Sequence, residues 1–379
     1  MITLLKQAGV YAPEPIGTRD ILIAGSRIAA IEEDIDLPAN LPGAAVVDCR
    51  ELTAVPGLID SHVHIIGGGG EGGFQTRTPE ITLGDILLAG VTTLVGVRGT
   101  DGFTRSMEAL VAKAKEIETH GLTCRLLTGS YQVPVRSLTG SVEKDIILIH
   151  EIIGAGEIAM ADHRASQRPV KDIINIAAMA RVGGMLSGKP GIVNIHMGDG
   201  QSGLSPLIRE IQQSDVPIRH FIPTHINRSW DLLLQGFDFV KAGGFIDLTA
   251  SGFTPGIDDE RTKCSRAFHI AVKQNTGIDR ITFSSDGQGS LPVFDRNSNV
   301  KGQTTGSCSA LLSEVRDMVN QEGIPLETAL LPVTLNPARM LQMPCKGRIA
   351  VGSDADILLL DSTFSITALF ARGKSMNAS

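Results

Sequence analysis

Aromatic residues and basic runs are scarce in this sequence. Aromatic side chains make up 4% of the 379 residues, and Trp230 is the single tryptophan. We therefore expect no stacking platform for nucleic-acid bases or sugars. The formal net charge is −7, and no stretch of Lys and Arg supplies a positive surface. This argues against a nucleic-acid partner.

Paired cysteines and long apolar runs are also missing. The odd number of cysteines and the lack of a CxxC spacing argue against a disulfide framework; the five are Cys49, Cys124, Cys264, Cys308 and Cys345. No window approaches the roughly 18 apolar residues of a membrane span. The first residues lack the apolar segment of a secretory signal. We expect a cytoplasmic protein with no membrane partner.

The middle of the chain alternates short apolar runs with helical periodicity, which indicates parallel βα units. Eight strands are predicted at residues 54–62, 92–97, 124–128, 153–159, 192–196, 218–224, 244–249 and 280–285. Helical patterns separate most of them, for example at 105–119, 170–186, 230–242 and 262–274. Eight such units in about 290 residues predict an α/β fold of the (β/α)8 TIM-barrel type. A doubly wound open sheet is the alternative, although no GxGxxG follows the first strand.

Both chain ends read as short strands separated by Gly and Pro. Residues 1–55 and 347–379 are therefore predicted to pair as one small β domain, a β-sandwich, beside a metal-binding barrel at 56–346.

Histidines and an aspartate fall at the predicted strand ends. His62 and His64 close the segment VPGLIDSHVH, and alternate strand residues point the same way. Two such imidazoles can bind the same transition-metal ion, such as zinc. An isolated HxH can equally be two polar residues leaving a strand. However, His196, His225 and Asp286 also end predicted strands, where TIM barrels carry their catalytic residues.

Several further segments, in this order, resemble the isoaspartyl dipeptidases of the amidohydrolase superfamily. They are GGGGE at 67–71, RGTD at 98–101, TGSYQVP at 128–134, TGSVEKD at 139–145, ADHR at 161–164, HMGD at 196–199, PTHINR at 223–228 and SSDGQGS at 284–290. The closing segment GRIAVGSDADILLLD at 347–361 also matches. The resemblance extends over essentially the whole chain.

The resemblance implies a zinc centre. Its ligands would be His62, His64, Glu157, His196, His225 and Asp286. Isoaspartyl dipeptidases carry a carboxylated lysine where this sequence has Glu157. Glutamate can bridge two ions without modification, but it is shorter than a lysine carbamate. Two ions bridged by Glu157, or one tightly bound ion, are therefore both open.

In the implied mechanism, a metal-bound hydroxide attacks the substrate's amide carbonyl. Asp286 can bind one metal, accept the proton of the water and deliver it to the leaving amine. By resemblance, the Tyr131 hydroxyl polarises the carbonyl and stabilises the oxyanion.

The substrate's own charges also need partners. Arg164 and Arg228 follow the ligands of strands four and six, and by resemblance they hold the carboxylate of the leaving amino acid. Glu71, aided by Ser290, would pair with the free amine. Two further residues would meet the α-carboxylate, Gly69 and Thr100.

These expectations predict hydrolysis of β-aspartyl dipeptides by a homo-oligomeric enzyme. Two alternatives remain at this level. One is a related hydrolase acting on another N-acyl amino acid or on a cyclic amide or imide. The other is a non-catalytic scaffold of the same fold.

Overall fold

The computed structural model describes residues 2–38, 41–294 and 300–376. In these ranges the strands are β1 (Ile2–Tyr11), β2 (Pro15–Ala24), β3 (Arg27–Glu32), β4 (Ala44–Asp48), β5 (Thr53–Pro56), β6 (Leu58–Val63), β7 (Val91–Gly96), β8 (Thr123–Thr128), β9 (Ile152–Met160), β10 (Ile192–Met197), β11 (Phe221–Thr224), β12 (Ile246–Thr249), β13 (Ile281–Ser284), β14 (Ser290–Phe294), β15 (Val300–Thr305), β16 (Ile357–Leu360), β17 (Ile366–Ala371) and β18 (Lys374–Ser375).

The α-helices lie mostly between the central strands. They are α1 (Leu83–Leu88), α2 (Met107–Thr119), α3 (Val142–Leu148), α4 (Lys171–Ser187), α5 (Ser205–Gln212), α6 (Trp230–Lys241), α7 (Cys264–Lys273), α8 (Ala310–Asn320), α9 (Leu326–Ala329) and α10 (Leu335–Met340). Short 3-10 helices occur at Phe74–Thr76, Ile218–His220, Ile226–Arg228, Glu260–Thr262, Ile278–Arg280 and Leu331–Val333.

Strands from both chain ends form one hydrogen-bonded sheet. Its order is β18-β17-β16-β5-β1-β2-β3, with β4 parallel to β1. The N-terminal and C-terminal parts join where β5 and β16 pair antiparallel, with Pro56 opposite Ile357. Side chains from both parts share one buried apolar cluster, including Leu5, Ile21 and Phe370. The pairing of the two ends therefore agrees with their strand-like patterns.

The eight central strands run in parallel order, as a TIM-barrel type fold requires. Six of them form one parallel sheet, β6 to β11 in sequence order, and β12 pairs parallel with β13. A parallel bridge joins Val63 to Gly287, and the His64 N–H donates to the Gly287 carbonyl at 2.8 Å. This bridge brings the end of β6 beside the segment that follows β13. The strands are buried along nearly their whole length, as expected for a parallel sheet covered by helices.

The first predicted strand, at 54–62, is two strands that belong to different sheets. β5 joins the terminal sheet and β6 begins the central one, with Gly57 between them. The Gly57 N–H donates to the Asp356 carbonyl at 2.9 Å. A Cβ at Gly57 would lie only 2.4 Å from Thr92 Cγ2. Periodicity cannot reveal this change of partner, because both halves are apolar and extended.

Two other elements differ from the sequence prediction. The segment predicted as one strand at 218–224 begins with a 3-10 helix, Ile218–His220, before β11. An antiparallel hairpin of β14 and β15 follows the eighth central strand, where no strand is predicted. Within the described ranges, no helix is long and apolar enough to cross a membrane.

Candidate active site

The predicted ligands come together at the carboxyl ends of the central strands. His62 lies in β6 and His64 just after it, Glu157 in β9 and His196 in β10. His225 directly follows β11, and Asp286 lies two positions after the end of β13. All six side chains are buried, with at most 5% of the surface of each residue exposed.

Glu157 lies between the histidines of different strands. Its Oε2 is 2.9 Å from His62 Nε2 and 4.0 Å from His225 Nε2. Its other oxygen, Oε1, is 3.3 Å from His196 Nδ1. The two oxygens therefore face imidazole nitrogens from β6, from β10 and from the end of β11.

Asp286 contacts the histidine pair of the first central strand. Its Oδ1 lies 3.0 Å from His64 Nε2 and 3.8 Å from His62 Nε2. Two sets of three residues each bring one ligand atom within 4.8 Å of the others: His62, His64 and Asp286, and His62, Glu157 and His225.

The donor atoms of this cluster suit a divalent cation. Both ring nitrogens of His62, both carboxylate oxygens of Glu157 and Asp286 Oδ1 are buried, and their close contacts within the cluster lack the geometry of hydrogen bonds. Buried polar atoms are nearly always paired, so atoms left unpaired in this way call for another partner. Imidazole nitrogens and carboxylate oxygens converging on one point are typical zinc ligands. The residues present therefore fit a metal centre.

The electrostatics of the cluster favour a positive charge. Burial by itself raises the pKa of Glu157, but His62 and His196 outweigh it and hold that pKa well below its usual range. Burial likewise raises the pKa of Asp286, yet His64 brings it to about 2. Burial lowers the pKa of His62, but Glu157 and Asp286 raise it to about 9. Ionised carboxylates thus surround His62, and a metal cation would supply the positive charge they attract.

His225 is held in the neutral form that binds metals. Burial lowers its pKa to about 3, and its Nδ1 is hydrogen-bonded to Thr249 Oγ1 at 2.5 Å. The hydrogen bond turns Nε2 toward Glu157. His225 and Asp286 both have left-handed backbone conformations, with φ of 59° and 52°. Such strained positions in non-glycine residues concentrate at functional sites.

Asp162 belongs to the cluster, although the sequence analysis gave it no role. Its Oδ2 lies 3.1 Å from His196 Nε2. A carboxylate that binds one ring nitrogen orients the other nitrogen toward a metal, and His196 Nδ1 faces Glu157. Burial raises the pKa of Asp162, but His196 and Arg164 outweigh it and keep the carboxylate ionised. The sequence feature that could have identified Asp162 is its place shortly after Glu157 in the chain, within the ADHR segment at 161–164.

Tyr131 and Arg164 lie against the same histidine. The Tyr131 hydroxyl is 2.9 Å from His196 Nδ1, and burial raises the pKa of Tyr131 well above its ordinary value. This phenol therefore stays protonated and can donate a hydrogen bond. Arg164 binds Asp162 through Nε at 2.9 Å and Nη2 at 2.7 Å.

The predicted substrate-binding residues form a rim around this centre. Glu71 Oε1 accepts from Thr100 Oγ1 at 2.9 Å and pairs with Arg164 Nη1 at 3.2 Å. Arg228 donates through Nε to the Met197 carbonyl at 2.7 Å. Its Nη2 lies 3.4 Å from His196 Nε2. Glu71 is thus ion-paired with Arg164 at a rim that also carries Arg228.

Gly69 and Ser290 meet on the same side of the rim as Glu71. A Cβ at Gly69, whose φ is 76°, would lie 2.4 Å from the Thr76 carbonyl oxygen and 3.2 Å from Ser290 Cβ. Glycine is therefore required there. Ser290 Oγ and Glu71 Oε2 are buried with no hydrogen-bond partner, so both have capacity for a polar ligand.

One cavity of about 520 Å³ collects these residues. Every residue predicted for the site lines it except His62, which contacts two of the lining residues, Glu157 and Asp286. The lining predicted residues are His64, Gly69, Glu71, Thr100, Tyr131, Glu157, Arg164, His196, His225, Arg228, Asp286 and Ser290.

Two buried arginines hold the loops of this rim. Arg105 donates to the carbonyls of Ile66, Gly68 and Thr78, the last two at 2.8 and 3.0 Å, and so clamps the glycine-rich loop that carries Glu71. Arg98 donates to the carbonyls of Gly129, Arg136 and Arg105 at 2.8, 2.7 and 2.9 Å. Neither was predicted as a site residue, because their partners are backbone atoms that no sequence motif reveals.

Comparisons with known proteins agree with this geometry. A model of the amidohydrolase family matches residues 257–377. The structure of a β-aspartyl dipeptidase from Fervidobacterium islandicum AW-1, in complex with β-Asp-Leu, is 45% identical with a TM-score of 0.93. The match covers 99% of this chain and 96% of that one. A second structure of a β-aspartyl dipeptidase from that organism is 43% identical with a TM-score of 0.90, covering 99% and 97%. An allantoinase from Deinococcus radiodurans is 23% identical, covering 97% of this chain and 89% of that protein.

Proposed function

The chain belongs to the β-aspartyl dipeptidase family of amidohydrolases, and from this we propose that it hydrolyses the isopeptide amide bond of β-aspartyl dipeptides. One observation supports the choice of substrate. A single cavity combines a cluster of metal ligands with a carboxylate, Glu71, and two guanidinium groups, Arg164 and Arg228. A β-aspartyl dipeptide needs these complements, because it has a free amine near one end and a carboxylate on the leaving residue.

We propose that the cluster binds Zn²⁺, as two ions or as one tightly bound ion, which would be held by His62, His64, Glu157, His196, His225 and Asp286. Both Glu157 oxygens face histidine nitrogens, so this carboxylate could contact more than one ion. When bound, these ions supply Lewis acidity and lower the pKa of a coordinated water.

Side chains of the protein would transfer the proton, stabilise the developing charge and bind the substrate. Asp286, ionised and in contact with His64, can accept the proton of the attacking water and pass it to the leaving amine. The Tyr131 hydroxyl donates a hydrogen bond toward the substrate carbonyl as negative charge develops on its oxygen. Arg228 and Arg164 bind the carboxylate of the leaving residue. Glu71 and Ser290 bind the amine, and Gly69 and Thr100 meet the α-carboxylate.

We also propose the finer features of the architecture. Residues 56–346 form a closed barrel, and residues 1–55 with 347–379 form a separate small domain of the sandwich type. Support comes from the Val63–Gly287 bridge and from the separate apolar core of the terminal sheet. A homo-oligomer in the cytoplasm remains our expectation.

The test is a substrate panel with purified protein. We expect hydrolysis of β-Asp-Leu, while α-Asp-Leu, N-acetyl-leucine and the cyclic amides allantoin and dihydroorotate are turned over at least about a hundredfold more slowly. Prolonged chelation should abolish the activity and Zn²⁺ should restore it. Faster turnover of a cyclic amide or an N-acyl amino acid would favour another amidohydrolase reaction. Full activity in metal-free protein would exclude the mechanism.

A further inference from the structure

One aspartate of the central strands, Asp247 in β12, is buried and has no part in the proposed mechanism. Only 1% of its surface is exposed. Four hydroxyl groups donate to its carboxylate. Oδ1 accepts from Thr282 at 2.7 Å and from Ser61 at 3.3 Å. Oδ2 accepts from Thr224 at 2.7 Å and from Ser284 at 2.5 Å. A carboxylate has about four sites that accept hydrogen bonds, so the hydroxyl groups fill them all.

Three of these donors stand one or two positions before a proposed metal ligand in the chain. The pairs are Ser61 with His62, Thr224 with His225, and Ser284 with Asp286. The donors belong to β6, β11 and β13, which are far apart in sequence. The carboxylate of Asp247 therefore fixes the relative position of three strands that lead to ligands, because each hydroxyl group is only one or two peptide units from a ligand's backbone.

The charge of Asp247 is not neutralised by these hydrogen bonds, because none of the four donors carries a charge. Burial raises the pKa of Asp247, and the hydrogen bonds from Ser284 and Thr224 act against that rise by stabilising the ionised form. Burying a carboxylate without a positive partner costs free energy. A cation held at the ligand cluster would offset this cost, since charges attract each other strongly inside a protein, where the dielectric constant is low.

We infer that Asp247 is a positioning residue of the proposed metal centre. Its carboxylate holds the strands that lead to His62, His225 and Asp286, and its negative charge raises the affinity of the site for a cation. The inference rests on the proposed metal centre and adds a residue to it, because Asp247 is none of the proposed ligands and does not line the cavity. It is independent of the amide that the enzyme hydrolyses.

The experiment measures the Kd for Zn²⁺ by competition with a chromophoric chelator. We expect Asp247→Asn to raise this Kd by about 10- to 100-fold, the usual effect of changing a group behind a metal ligand. The rise in Tm when Zn²⁺ binds should become smaller, since it depends on the ratio of free metal to Kd. Thr224→Val and Ser284→Ala each remove one hydroxyl donor and should raise the Kd by about two- to tenfold. These two variants provide the test if Asp247→Asn does not fold.

A buried aspartate of the terminal sheet is the matched control. Asp20 in β2 is fully buried. It accepts from the N–H groups of Gln7 and Ile35, both at 2.8 Å, and pairs with Lys6 at 2.8 Å. Asp20→Asn should lower the Tm of the zinc-bound and the metal-free protein by equal amounts and leave the Kd for Zn²⁺ unchanged.

Two outcomes would overturn the inference, and they differ in what they mean for the metal centre. If Asp247→Asn behaves like Asp20→Asn, or if it does not fold and both hydroxyl variants keep the original Kd, Asp247 has only a structural role and the metal proposal stands. If the unmodified protein binds no Zn²⁺, the proposed metal centre is wrong and the inference fails with it.

Discussion

At the scale of single residues, Glu157 is the group on which the proposed metal centre depends. We propose that it takes the place of the carboxylated lysine that the resemblance to isoaspartyl dipeptidases implies, and its two oxygens face nitrogens of His62, His196 and His225. A glutamate needs no carbon dioxide to become a carboxylate. The centre should therefore assemble from the polypeptide and metal alone.

We expect Glu157→Gln to lower the zinc content per chain and to reduce activity at least tenfold, because it removes a negative charge from between the ligands. Metal analysis after dialysis measures the first effect. Glu33→Gln, at a side chain 85% exposed, is the matched control and should retain both zinc and activity. Reconstitution with and without bicarbonate should give equal activity. A bicarbonate requirement would mean that a carboxylated lysine, not Glu157, bridges the metals.

Arg228 offers a second test at this scale. We expect Arg228→Met to lower kcat/KM for β-Asp-Leu at least tenfold, since loss of one partner of a buried charge pair costs about 2–5 kcal/mol. The same variant should affect β-Asp-leucinamide, which lacks the carboxylate, much less. Arg164→Met should behave similarly, with an added loss because Arg164 also pairs with Asp162. Equal losses on both substrates would make these arginines structural.

At the scale of elements, the rim of predicted substrate-binding residues consists of loops whose backbone is bound by buried arginines. The glycine-rich loop after β6 carries Gly69 and Glu71, and Arg105 binds its backbone through three carbonyls. Hydrogen bonds from a charged donor contribute about 1.5–3 kcal/mol each. The position of Glu71 therefore depends on a residue that does not itself line the cavity.

Arg105→Lys keeps the charge but cannot reach three carbonyls in a planar fork. We expect KM for β-Asp-Leu to rise about tenfold while kcat changes less, because the displaced loop carries Glu71, the proposed partner of the substrate's amine, and none of the proposed metal ligands. Arg266→Lys, at a side chain 51% exposed on α7, is the control and should leave both constants unchanged. A loss confined to kcat would contradict this role for Arg105.

At the scale of the whole molecule, the proposed metal centre joins strands that are distant in sequence. Its ligands come from β6, β9 and β10 and from the segments after β11 and β13. Bound metal should therefore stabilise the fold as a unit. By mass action the effect is about 4 kcal/mol when free metal is about 1,000 times its Kd.

We accordingly expect chelation to lower the Tm measured by calorimetry, and added Zn²⁺ to restore it. Mg²⁺ at the same concentration serves as the control, because it prefers oxygen ligands and should restore little. An unchanged Tm after verified loss of metal would indicate that the ligand cluster is stable without a cation.

The sequence by itself determined the family, the parallel βα order and the pairing of the chain ends, because periodicity and strand-end residues depend on local spacing. It also singled out the six candidate ligands, which the fold brings together at one end of the strands. Only the tertiary structure decided the break at Gly57, the contact of Asp162 with His196, and the backbone hydrogen bonds made by Arg98 and Arg105. These features arise from contacts between segments far apart in the chain or from bonds to backbone carbonyls. Neither kind of contact leaves a periodic pattern in the residues.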